Sequence, residues 1–143
     1  EEKSVLTPIH IDDTVSSLSA ILLDNSYYEL LLKERNVIGG ITVLKPEGLI
    51  VFKAKAWLDL ISKQKQGIRI DSRDIKKHRN DILRITSEMP LEQCKLPENI
   101  RKDMINFVHA LKITKNELKN LKLFGVREED IIHTLTDIFS LTE

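Results

Sequence analysis

Residues 45–84 read KPEGLIVFKAKAWLDLISKQKQGIRIDSRDIKKHRNDILR. Pro46 suits the first turn of a helix, and the apolar spacing runs on to Gln66 before Gly67 interrupts it. A second helix should open at Asp71 or Ser72, either of which can cap it, and reach about Ser87. Leu49, Phe52, Ala56 and Leu60 form one apolar stripe on the first helix, and Ile50, Ala54, Trp57 and Ile61 form another. A helix apolar over most of its circumference belongs at the centre of a fold.

Two lysines interrupt that helix. The neighbours of Lys53 at three and four positions are Leu49, Ile50, Ala56 and Trp57, all apolar. Such neighbours meet on a helix surface, and an ammonium among them needs either a partner or a route for its tip back to water. Lys55 has Asp59 as a local partner. On the second helix Asp71, Asp74, His78 and Asp81 follow at steps of three, four and three, so they share one face. Asp74 and His78 have a spacing that can hold a divalent ion, but two ligands make no site. Capping and the helix dipole explain Asp71 and Asp74 equally well. The functional reading is a lysine aimed into a cleft as a point charge for phosphate.

Outward from this hairpin, Ile41–Leu44 is short and β-branched, the best strand candidate. Its partner would be a larger sheet or the extended-looking residues 4–11, and an open edge there predicts a homodimer by sheet addition. Gly39 and Gly40 break the chain before it. Ser26 and Glu29 fit a capping box for a helix over Tyr27–Arg35, and Asp12, Asp13 and Thr14 offer caps for the segment from Val15 to Leu23. Downstream, Pro97 starts a helix with Ile100, Met104, Phe107, Val108 and Leu111 on one face. Thr114 and Glu117 form a capping box for a helix ending at Gly125. Glu128, Glu129 and Asp130 favour the positive end of a last helix, with Ile131, Leu135, Ile138 and Phe139 as its core face.

The whole chain has 143 residues, 41% apolar and 31% charged, with 22 basic and 22 acidic side chains. That is ordinary for one globular domain, and the neutral balance excludes a partner argument from net charge. Its distribution is informative. Residues 61–84 hold eight basic and three acidic side chains, a local +5 offset by −5 elsewhere. Such a patch is either a solvated face or a surface for nucleic acid or a partner protein. The single cysteine, Cys94, excludes an internal disulfide framework and fits a reducing, cytoplasmic setting. No apolar run reaches membrane-spanning length. No Ser-His-Asp or Cys-His arrangement, and no glycine-rich phosphate loop, can be read. His10, His109 and His133 stand isolated.

The stretch from Leu44 to Leu60, together with Asp71 to Asp81, resembles the C-terminal part of the AbiEii/AbiGii-like bacterial nucleotidyltransferases, a type IV toxin-like family. Residues 9–23 resemble the segment that precedes it in a bacterial subgroup. The family's helical pattern, acid, leucine, lysine and alanine, matches Glu47, Leu49 or Ile50, Lys53 and Ala56. Arg73, Asp74 and Ile75 match the first half of its later Arg-Asp-Leu motif, but Lys77 and His78 stand where its second aspartate belongs.

The resemblance implies transfer of a nucleotide from an NTP to an acceptor, RNA or protein, with Mg2+ held by carboxylates in the full-length protein. It casts Lys53 and Asp74 as catalytic-cleft residues, with Lys55, Asp71, Lys77 and His78 nearby for nucleotide phosphates. No Gly-Ser segment followed by an Asp-x-Asp or Asp-x-Glu pair occurs in residues 1–143. The expectation is therefore a mainly α fragment in one domain. Residues 1–45 would be a remnant of the sheet region, and residues 46–143 a bundle completing five to six helices with one or two short edge strands. It would bind no metal or cofactor alone and would be inactive by itself.

Overall fold

The computed structural model describes residues 19–142. The fold is mainly helical, with one two-stranded antiparallel sheet among the described residues. Residues 4–11, the caps at 12–14, His10 and most of the 9–23 segment lie outside the described residues.

The first long helix, α1, spans Asn25–Glu34. Its cap is Asp24, whose carboxylate accepts from the Ser26 N–H at 2.8 Å. This replaces the expected Ser26–Glu29 capping box, because Ser26 is already inside the first turn. Strand β1, Arg35–Ile38, follows directly and pairs with β2, Ile41–Leu44, in the register Arg35 to Leu44 and Ile38 to Ile41. The partner of 41–44 is thus the preceding segment, whose first residue had been assigned to the helix. Gly39 and Gly40 supply the reason: both have positive φ (58° and 82°), as a two-residue type I′ hairpin requires. The hairpin is closed at its base by the Lys45 N–H donating to the Glu34 carbonyl at 2.9 Å.

Helix α2, Pro46–Lys65, is the centre of the molecule. Glu47 through Ala54 are all buried, as are Ala56 and Trp57, while Leu60 and Ile61 at its far end are half-buried. Each large apolar side chain removed from water contributes roughly 1.5–3 kcal/mol, so this helix anchors the fold. The chain turns at Gly67 and runs back as α3, Ser72–Glu88, capped by Asp71. Helix α4, Glu98–Ala110, puts Ile100, Met104 and Phe107 against α2, with Phe107 edge-on to Trp57 at 5.4 Å between centroids.

The Thr114–Glu117 capping box forms, but α5 spans only Lys115–Asn120 and stops short of Gly125. Lys122 there adopts a left-handed φ of 62°, which ends the helical run. Helix α6, Glu128–Ile138, carries three acids in its first turn and buries Ile131, Leu135 and Ile138, with Phe139 following. Among the described residues no helix is long and apolar enough to cross a membrane.

Candidate functional site

Lys53 is buried, with 5% of its surface exposed, because its helix neighbours Leu49, Ile50, Ala56 and Trp57 are all buried too. Its ammonium does not reach water. It donates to Asp81 Oδ2 at 2.8 Å. Of the two readings left open for Lys53, a partner and not a route to water is found: the compensating carboxylate comes from the adjoining helix, and it is Asp81 and not Asp74. Helix geometry explains the choice. Lys53 lies about 18 Å back from the end of α2, so an antiparallel α3 must run nearly as far before it is level. Asp74, in the first turn, is about 10 Å short of Asp81 along that axis.

Lys77, one turn before Asp81, donates to the same Oδ2 at 3.1 Å. Two ammonium groups therefore share one carboxylate oxygen. The Lys53 and Asp81 side chains are 6% and 10% exposed, whereas Lys77 is 39% exposed. Burial opposes ionisation of Asp81, but the hydrogen bonds and charges of Lys53 and then Lys77 outweigh it and hold the carboxyl below its usual range. The cluster is ionic, two lysines to one carboxylate, and lies where α2 packs against α3. His78 is buried in the same face of α3, and Asp74 is half-buried at its N-terminal end.

The remaining residues of the expected site lie elsewhere. Lys55 is two positions from Lys53, hence about 200° around α2. It faces α1 and α4, with Asp59 at 3.3 Å, Asp103 at 3.8 Å and the Tyr27 ring beneath it. Tyr27 donates its hydroxyl to Asp103 at 2.6 Å. Burial first, and then that hydrogen bond, push the phenol's pKa up. Asp71 is exposed and tied to Arg73 at 2.9 Å, and it lies about 15 Å along α3 from Asp81. The expected grouping of Lys55 and Asp71 with Lys77 is therefore corrected: the structure gathers Lys53, Lys77 and Asp81. Asp81 was legible in one respect, since Ile82, Leu83 and Ile85 surround it and mark an inward-facing stretch.

Arg79 also leaves the basic patch. It bonds Glu117 and the Lys112 carbonyl, joining α3 to α5. Burial resists ionisation of Glu117, but Arg79 and the Thr114 N–H prevail and lower its pKa. Among the described residues no group of three or more His, Cys, Asp or Glu side chains is placed to hold a metal ion. An open pocket of about 320 Å³ lies away from the lysines, lined by Gln93, His133, Thr136, Asp137, Ser140 and Thr142. It brings none of the charged cluster together. No protein-family model, no curated protein and no solved structure matches the chain.

Proposed function

We propose that this chain is the helical, substrate-side portion of a nucleotidyltransferase-like protein, and that Lys77, beside the α2–α3 contact, meets the phosphates of a nucleoside triphosphate. One observation carries the reading: two lysines converge on a single carboxylate oxygen, leaving a positive charge at a half-open position. An incoming anion would meet Lys77, whose side chain is 39% exposed. Lys53 acts from behind as a positioning residue, keeping Asp81 ionised and so fixing the Lys77 stem. The resemblance over residues 45–84 supports the same segment, with Lys53 in common and Asp74 in the first turn of α3.

Nucleotidyl transfer itself needs divalent metal held by carboxylates, which neutralises the triphosphate. The described donor set does not fit such a centre: Asp81 is taken by two lysines and Asp71 by Arg73. The role assigned to these helices is binding, with RNA or protein as acceptor and no chemical step of their own. A cytoplasmic setting belongs to the reading, supported by the single cysteine.

The test is titration of the chain with ATP, followed by amide chemical shifts. Lys77→Gln should weaken binding about tenfold, the loss of about 1.4 kcal/mol. Glu34→Gln, at the other end of the α1–α2 packing, should not. ATP binding by Lys77→Gln at wild-type strength would remove the proposal.

A further inference from the structure

Helix α3 has a second face, of which the nucleotide reading uses only Lys77. At 3.6 residues per turn, each step rotates by about 100°. Arg73, Lys76, Lys77, Asn80 and Arg84 then fall within an arc of about 100° and along about 17 Å of axis. Asp74 and Asp81 lie outside that arc on its inner flank. Arg73, Lys76 and Arg84 are exposed, and Lys77 and Asn80 half-buried. The Arg73–Asp71 pair does not neutralise the face, since both side chains are well exposed and such pairs are weak. Exposed Lys63, Lys65 and Arg69 continue the charge around the adjoining end of the hairpin.

We infer that this face of α3 binds the phosphate backbone of a duplex nucleic acid. Every group it presents is a cation or an amide, the types that bond phosphate oxygens. A protein partner would call for aromatic or apolar anchors, and lysine is depleted in such interfaces. A single strand would call for aromatic side chains on which bases stack. The arc contains neither aromatic nor large apolar residues, which leaves the regular polyanion of a double helix. Binding is therefore electrostatic and indifferent to base sequence. The inference goes beyond the triphosphate reading and does not depend on it, sharing only Lys77 at its edge.

The experiment measures anisotropy of labelled 16-base-pair DNA and RNA duplexes with the full chain between about 50 and 200 mM salt. Three exposed cations predict a log–log salt slope of about −3 on DNA. Lys76→Gln combined with Arg84→Gln should cut that slope by about 2 and weaken binding at least about tenfold. Lys102→Gln with Lys119→Gln, the same charge loss at exposed sites on α4 and α5, should leave it intact. Binding to either duplex, or to both, supports the inference and assigns the sugar. Four outcomes overturn it: no binding to either duplex, no loss in the Lys76/Arg84 variant, tighter binding to the single strand, or equal displacement by polyglutamate of matched charge.

Discussion

Two buried charge clusters sit on α2, about two turns apart, and they are built on opposite principles. In the middle of the helix, Lys53 meets Asp81 and Lys77, so opposite charges satisfy one another. At its first turn, Glu47 is buried close to Glu34 of α1, with Cys94 beside them. Here the carboxyls share a sign. Glu47 finds a backbone donor, the Glu92 N–H at 2.7 Å. For Glu34, burial raises the pKa, Lys45 lowers it and Glu47 raises it again, the net direction being upward. Asp81 holds its charge and Glu34 resists it. A buried ion is tolerated where a partner of opposite sign arrives from another helix, and a buried acid without one moves toward its neutral form.

Breaking the ion pair gives the largest expected effect. Asp81→Asn strands two ammonium groups, one fully buried, and should cost about 3 kcal/mol in urea unfolding. Lys53→Met should cost less, because Asp81 keeps Lys77 and the methionine fills similar volume. Equal losses for the two variants would mean that the cluster does not act through uncompensated charge. Since the pKa of Asp81 is depressed on folding, its contribution is complete above the unfolded value of about 3.9 and disappears as pH falls through the folded one. The gap between wild type and Asp81→Asn should therefore close in strong acid.

The acidic end is sensitive to volume as well as to charge. A Cβ on Gly48 would lie 2.7 Å from the Glu34 Cβ and 3.0 Å from its Cγ. Glycine is normally a poor helix residue, worth about 1 kcal/mol less than alanine. Gly48→Ala should nevertheless destabilise by about 1–2 kcal/mol, because α1 and α2 must separate to admit the methyl. A rise in melting temperature for this variant would show that α1 yields freely, and that the Glu34 site is looser than the Lys53 site.

How much of this was written in the sequence differs between the two ends. The apolar ring around Lys53 called for either a partner or a route to water, and helix periodicity placed Asp81 on the face of α3 that supplies the partner. Asp71 and Asp74 drew attention because they open the helix. Only the depth of Lys53 within α2, which fixes how far α3 must return, selects Asp81. The Glu34–Glu47 approach had no such signal. It depends on a hairpin that folds α1 back onto α2, and that hairpin was hidden because Arg35 reads as a continuation of the helix. Gly48 was silent for the same reason, as its small size matters only once Glu34 is beside it. The last helix was legible throughout, since its acids and its core face lie within one continuous stretch.

Charge removal at the acidic end should have the opposite sign to removal at Asp81. The pKa of Glu34 is raised on folding, so its favourable contribution is complete below the unfolded value of about 4.3 and is lost as pH rises through the folded one. Glu34→Gln, which keeps the shape and the acceptor, should therefore raise the urea midpoint at pH 7. That advantage should shrink as pH approaches 4. If Glu34→Gln is destabilising at both pH values, Lys33 and Lys45 compensate the carboxylate as fully as Lys53 compensates Asp81, and the contrast between the two ends fails.

The smallest effect is a chemical one. Cys94 is buried between the acidic cluster and α6, with its N–H donating to the Ile138 carbonyl at 2.8 Å. Burial, and then the nearby Glu34 carboxyl, push its thiol up to about 12. Thiolate is the reacting form, so iodoacetamide at pH 8 should label the native chain far more slowly than the urea-unfolded chain. Glu34→Gln removes one cause and leaves burial and the Glu47 carboxyl in place. It should speed native labelling only a few-fold, while Asp81→Asn should act only by populating the unfolded state. Urea dependence separates these routes: labelling through the folded state is flat at low denaturant, and labelling through unfolding rises with it. Rapid, urea-independent alkylation of the wild type would mean that the acidic end is open to solvent, and the difference between the two clusters would then be one of exposure, not of charge.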